Sequence, residues 1–291
     1  MIHVVPHTPA DRQDSQLEIG DIIQAVDGQQ IDGSVNFWST LMEKENKKIW
    51  IRLERDGEMK NVYLRPVISI SSQLYDEWVE VRRKLTDQYS GGRLGYIHIQ
   101  GMNWPSFESF ERELTASGYG KKGLVIDVRY NGGGWTTDML MTVLMVSQHA
   151  YTVPRGSTDD LKNHKDFRSH YPFGERLPLS AWTLPAAAIC NHSSYSNAEI
   201  FSHAFKTLDR GPLVGEPTFG AVISTGGHSL MDGSYVRLPF RGWYVKATDA
   251  NMEGTPAVPD YIVLNPPGSK AKGEDPQLKK AVEVLLESIE N

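Results

Sequence analysis

The chain has 291 residues, 40% hydrophobic and 23% charged, an ordinary balance for a globular protein with a sizeable core and room for two domains. Acidic side chains outnumber basic ones, 36 to 30, for a formal charge of −6, and no basic cluster interrupts that balance, which argues against a nucleic-acid partner. The single cysteine, Cys190, excludes an intrachain disulfide. No apolar run has membrane-spanning length and the N-terminus lacks a signal-peptide pattern, so a cytoplasmic protein with no membrane partner is expected.

Residues 1–66 read as strand-rich. Leu17 to Gly28 predicts a strand bracketed by Gly20-Asp21 and Asp27-Gly28, and a short helix is expected over Val35 to Lys44. Ile49 to Arg55 and Lys60 to Arg65 flank Asp56-Gly57 as a hairpin. Ser71 to Tyr89 carries Leu74, Trp78, Val81 and Leu85 at helical spacing, and Gly91-Gly92 marks its end.

From Arg93 onward strands alternate with helices. Leu94 to Ile99 is a strand, and Trp104 to Ala116 a helix with Phe107, Phe110 and Leu114 inward. Leu124 to Val128 is a strand, followed by a helix over Thr137 to Val146 whose Met139, Met141 and Met145 suit core filling. This rhythm implies an α/β domain with a largely parallel sheet. Thr152 to Pro185 is a long polar connection; its Asp159, Asp160, His164 and His170 lack the spacing of metal ligands, and no metal is expected. Further strands are expected around Pro212 to Glu216, Ile223 to Gly233 and Ser234 to Pro239. A last helix over Asp275 to Ser288 places Leu278, Val282, Leu285 and Leu286 on one face.

Two stretches carry chemistry. Ala186 to Cys190 is an apolar strand that turns through Asn191-His-Ser-Ser-Tyr-Ser196 into a helix with Ile200, Phe201, Ala204 and Phe205 on one face. A serine at that corner sits at the positive end of a helix, where free N–H groups hold developing negative charge, so Ser196 is the candidate nucleophile. Ser196-x-x-Glu199 is equally a capping box, a purely structural device. Upstream, the strand Leu124 to Val128 feeds Tyr130-Asn131-Gly132-Gly133-Gly134-Trp135, where successive glycines allow positive φ and close approach to a ligand. A serine at a helix start and a glycine nest are the two halves of an acyl-transfer site.

Leu124 to Trp135, Asn191 to Phe201 and Gly215-Glu-Pro-Thr-Phe-Gly220 together resemble the tail-specific, or C-terminal processing, serine peptidases, and within them the tricorn type. Arg93 to Ile99, Leu230 to Gly233 and Asp275 to Leu278 follow in the same order. The resemblance implies a crotonase- or ClpP-like αβ protease domain at 93–291, joined by a linker helix at 69–92 to a partial, mostly β PDZ-like domain at 1–68 that is incomplete at its start. It implies an oxyanion hole from the amides of Gly134 (or Gly133) and Asn197, a relay glutamate at Glu253, and no cofactor. It further implies peptide substrates and a homo-oligomer.

Many of these enzymes place a lysine base just after the Thr218-Phe219-Gly220 turn, where this chain has Ala221. Tricorn-type enzymes take a histidine from a segment ahead of the PDZ, so this chain alone is expected to be weakly active or inactive. His192, four residues before Ser196, and His228 are the in-chain alternatives, each more plainly a loop or strand histidine. The position that gives the family an acidic P1 pocket aligns with Thr152, which implies a neutral or apolar P1 preference. A non-catalytic peptide-binding scaffold and a crotonase-like acyl-CoA enzyme are the other readings of the same fold.

Overall fold

The computed structural model describes residues 1–169 and 180–290. They form two compact units, Met1–Val81 and Arg82–Asn291, and the division falls inside the helix α1, Ser71–Ser90.

In the first unit, β1 (Ile22–Val26), β2 (Gln29–Gln30), β3 (Ile49–Arg55) and β4 (Glu58–Leu64) make an antiparallel sheet in the order β2-β1-β3-β4. Asp56 and Gly57, at φ 53° and 80°, supply the two left-handed residues of a tight hairpin between β3 and β4. The strand expected between the turns Gly20-Asp21 and Asp27-Gly28 is β1, Ile22–Val26. The Asp21 carboxylate accepts the Glu18 N–H at 2.8 Å, turning the chain, and takes a two-pronged bond from Arg55 Nε and Nη2, each 2.7 Å. The helix expected over Val35 to Lys44 shrinks to one 3₁₀ turn, Phe37–Leu41, because Glu43 and Asn46 adopt φ of 59° and 55° and break it.

In the second unit five strands, all neighbours parallel, run in the order β13-β8-β7-β6-β5. They are β5 (Leu94–His98), β6 (Gly123–Asp127), β7 (Ala186–Cys190), β8 (Leu213–Gly215) and β13 (Tyr261–Ile262). Between them lie α2 (Trp104–Ala116), α3 (Thr137–Leu144) and α4 (Asn197–Thr207), with α5 (Pro276–Glu290) last. The central strands are buried on both faces, β7 apolar throughout and β6 apolar up to its last residue, Asp127. Leu124, Ile126 and Val128 point into one core with Ala186, Ala188, Cys190, Phe107, Phe110, Leu140, Phe201 and Phe205. Met141 belongs to that core and Met139 packs against it, but Met145, also expected inside, is exposed.

The opposite side of β6 meets α5 through charge. Arg129 is fully buried and donates to Asp127 (Nη2 to Oδ2, 2.6 Å), to both carboxylate oxygens of Asp275 (2.9 Å each) and to Gln277 Oε1 (3.0 Å). Burial opposes its charge, yet the two aspartates outweigh that and hold the guanidinium well above its ordinary pKa. Asp275 also accepts the Leu278 N–H at 3.1 Å at the start of α5. Between β8 and β13 the chain makes an exposed ribbon, β9 (Ile223–Ser229) paired with β10 (Tyr235–Gly242), and a short pair, β11 (Tyr244–Val245) with β12 (Ala250–Asn251). Among the described residues no helix is long and apolar enough to cross a membrane.

Candidate active site

Parallel strands deliver their carboxyl ends to one edge of the sheet, where ligands bind in such folds. The chain leaves β6 there through Tyr130 to Trp135 and leaves β7 through Asn191 to Ser196. Asn131 shapes the first bend: its side chain donates to the Ile99 carbonyl at 2.8 Å and accepts the Gly133 N–H at 2.9 Å. The Asn131 carbonyl in turn accepts the Tyr195 N–H at 2.9 Å, which fastens the second loop to the first.

The glycines are demanded by space. Gly134, at φ 144°, lies so close to Met102 that a Cβ would stand 1.9 Å from that residue's carbonyl oxygen. A bridge holds the two chains together, with Met102 N–H on the Gly133 carbonyl (3.0 Å) and Trp135 N–H on the Met102 carbonyl (2.7 Å). In this parallel pattern the amide of Gly134, between the two bonded groups, faces the other way. Gly133, at φ 89°, leaves room on the serine side: a Cβ there would meet Ser196 Cβ at 2.8 Å and the Asn197 nitrogen at 3.0 Å. Ser196 and the glycine bend therefore converge.

Ser196 holds φ 56° and ψ −116°, a conformation that non-glycine residues rarely adopt and that strand-to-helix elbows impose on a nucleophile. Glu199, fully buried, accepts the Ser196 N–H at 3.0 Å, and the Glu199 N–H reaches the Ser196 carbonyl at 2.9 Å. The Asn197 side chain has work of its own: its Oδ1 takes the Thr137 N–H and hydroxyl, both at 3.0 Å, joining the starts of α3 and α4.

Glu253 is exposed on a turn whose Gly254 N–H bonds the Gly220 carbonyl at 2.8 Å, so the turn leans on the Thr218-to-Ala221 segment that follows β8. Its own N–H donates to Asn251 Oδ1 at 3.1 Å, and no hydrogen bond links it to Ser196. Thr152 lies exposed in the irregular segment after α3. His170 falls outside the described residues. His192 Nδ1 bonds Glu216 Oε2 at 2.7 Å, with the ring largely exposed, and His228 is exposed on β9; neither bonds Ser196. His203 lies on α4 with Nε2 3.3 Å from the Thr255 carbonyl, its pKa depressed by burial. Cys190 is buried beneath the elbow, and burial pushes its thiol far above the ordinary range.

The Gly133 amide, the alternative oxyanion donor, is taken by Asn131, but a strand-to-helix serine in a strained elbow, facing a bend whose exposed Gly134 turns its amide away from Met102, is a constellation that a family comparison can decide. The sequence model of peptidase family S41 matches residues 93–263, a span that contains the glycine bend, the elbow and Glu253. The chain belongs to peptidase family S41. The tricorn protease of Thermoplasma volcanium is 28% identical over 275 residues, covering 94% of this chain and 25% of that one. The putative tricorn-like protease C-terminal subunit of Sulfurisphaera tokodaii is 31% identical over 278 residues, covering 94% of this chain and 30% of its own length. The crystal structure of the tricorn protease superposes with a TM-score of 0.78 at 27% identity, over 98% of this chain and 26% of that one. The chain thus spans less than a third of the length of these relatives.

Sequence reasoning missed what supports this S41 site. The capping pattern pointed to Glu199 but gave no sign of its partners beyond the helix, and nothing local signals that Arg129 and Asp275, 146 residues apart, share a buried contact.

Proposed function

We propose that this chain is the catalytic core of a tricorn-type peptidase that hydrolyses peptide bonds through an acyl-enzyme on Ser196. The observation that carries the reading is the approach of the glycine bend to the elbow, with the Gly133 position 2.8 Å from Ser196 Cβ as judged by where its Cβ would stand. Ser196 Oγ attacks the scissile carbonyl carbon and gives its proton to a base. The amides of Gly134 and Asn197 hold the oxyanion of the tetrahedral intermediate. The C–N bond then breaks, the amine leaves with that proton, and water releases the acyl group by the same steps. No described histidine is hydrogen-bonded to Ser196, so the base is brought to Oγ by another segment or by movement of a histidine. Glu253 orients it and stabilises its charged form.

The P1 residue is neutral or apolar. Thr152 offers no carboxylate, and Tyr130, Trp135 and Phe219 stand exposed on the loops around Ser196, with Phe219 N–H on the Ser194 carbonyl at 3.1 Å and its ring 5.1 Å from that of Tyr195. The finer fold description is likewise our reading: a crotonase- or ClpP-like second unit, and a first unit whose antiparallel sheet suits a PDZ-like module for peptide C-termini. An assembly of subunits, which we read as a homo-oligomer, is in keeping with a relative named as a C-terminal subunit, a name that does not say whether its partners are alike.

A fluorophosphonate probe tests the assignment. It labels Ser196 slowly in this chain, whose base is not at Oγ, faster in a longer protein that supplies the base, and not at all in Ser196→Ala. Absence of labelling, together with peptide affinity unchanged by Ser196→Ala, would favour a non-catalytic scaffold. Fastest cleavage of model peptides after arginine would refute the P1 assignment.

A further inference from the structure

The Glu199 carboxylate does far more than cap a helix. Oε1 accepts the N–H groups of Ser196 (3.0 Å) and Ala221 (2.9 Å), and Oε2 accepts the Thr218 hydroxyl (2.7 Å) and the Gly220 N–H. Four donors match the four lone-pair sites of a carboxylate, and the group is fully buried. A capping box needs only the first of these bonds. The other three come from a turn more than eighteen residues further on, and that turn is itself pinned: Ala257 N–H donates to Thr218 Oγ1 at 2.8 Å, Thr218 N–H to the Ala257 carbonyl at 3.1 Å, and Gly254 N–H to the Gly220 carbonyl at 2.8 Å. One carboxylate thus joins the strained Ser196 backbone to the segment that follows Glu253.

We propose that Glu199 is a positioning residue of the peptidase site: its carboxylate clamps Ser196 in the elbow conformation and sets its distance to the turn that carries Phe219 and supports Glu253. Strain at φ 56° persists only where surrounding bonds over-determine it, and the Ser196 amide held by Glu199 is such a bond. The next amide along, that of Asn197, is the proposed oxyanion donor, so a shift of the clamp moves nucleophile and donor together. The inference rests on the peptidase reading of Ser196.

Glu199→Gln is the test, because glutamine keeps the shape but turns an NH₂ toward two donors that need an acceptor. Misplacement of a reacting group by about 1 Å costs about 100-fold, so the fluorophosphonate labelling rate of Ser196 should fall by about that factor. Affinity for a non-hydrolysed peptide should stay within about threefold of wild type, a split that general loss of structure would not give. Amide exchange at Ser196, Gly220 and Ala221 should accelerate while that of Leu124 to Asp127 stays slow. Thr218→Val, which removes both the bond to Glu199 and the acceptor of the Ala257 N–H, should slow labelling by at least about tenfold, and Thr218→Ser should restore it; this pair decides the matter if Glu199→Gln does not fold. Labelling of Glu199→Gln at the wild-type rate, or equal rates for the two Thr218 variants, overturns the inference alone. Absence of wild-type labelling both in this chain and in a longer protein that supplies the base overturns the peptidase reading beneath it.

Discussion

Replacing Gly134 by alanine puts the glycine bend to a quantitative test. The added Cβ would sit 1.9 Å from the Met102 carbonyl oxygen and 2.6 Å from its carbonyl carbon, backbone atoms that no rotamer change can move. A comfortable C···O separation is about 3.3 Å, so the two chains must part by more than about 1 Å. Parting breaks the bonds between Met102 N–H and Gly133 O and between Trp135 N–H and Met102 O, at about 1 kcal/mol each. Alanine at φ 144° adds strain of about 1–3 kcal/mol. The total, roughly 3–5 kcal/mol, lowers the melting temperature of a unit this size by about 6–20 °C. Gly132 is the internal control: a Cβ there meets nothing within 4 Å, and Gly132→Ala should stay within about 0.5 kcal/mol of wild type. Scanning calorimetry suits a chain with two units, whose transitions need not coincide. A Gly134→Ala protein melting within about 2 °C of wild type, or a Gly132→Ala protein equally destabilised, would refute the close-approach argument.

Other consequences can be checked in the same way. Asp275→Asn takes a carboxylate from a buried arginine and should cost about 3 kcal/mol in urea unfolding. Burial, the largest influence on Asp275, raises its pKa, but the charge and hydrogen bond of Arg129, the Leu278 N–H and Arg82 outweigh it and leave the group below its ordinary value. Its stabilisation is therefore complete above the unfolded value of roughly 3.9 and fades as pH falls through the lower folded value, so Asp275→Asn should flatten the acid limb of the stability curve. Cys190 should resist a thiol reagent at pH 8 in the native protein and react at once in denaturant; fast native labelling would contradict its burial. Ser196→Gly should be more stable than Ser196→Ala by about 1 kcal/mol, since both lose the hydroxyl but only glycine is at ease at φ 56°.

Much of the second unit was legible because its signals are local. Continuous apolar strands, helices with a 3.6-residue stripe and a glycine run each declare themselves within a dozen residues, and α2 falls on the expected Trp104–Ala116. The Ser196 elbow was legible for the same reason. The expected helix over Val35 to Lys44 failed because left-handed Glu43 and Asn46 carry no glycine to announce them. Met145 looked like core but lies just past the last turn of α3. Asn197 was read as serving through its backbone alone, whereas its side chain locks Thr137. Glu199 and Asp275 show the limit most plainly. A buried carboxylate is defined by the donors around it, and those donors arrive from chain segments that sequence spacing does not relate.

The pairing of Arg129 with Asp275 also bears on how the protein is made. A ribosome that has just added Arg129 must add another 146 residues before the second carboxylate exists to neutralise that guanidinium. Until then the end of β6 holds an under-compensated cation where the folded protein is dry, which disfavours closing the sheet edge early. The sheet edge at the end of β6 therefore reaches its folded charge balance only after the start of α5 has been made.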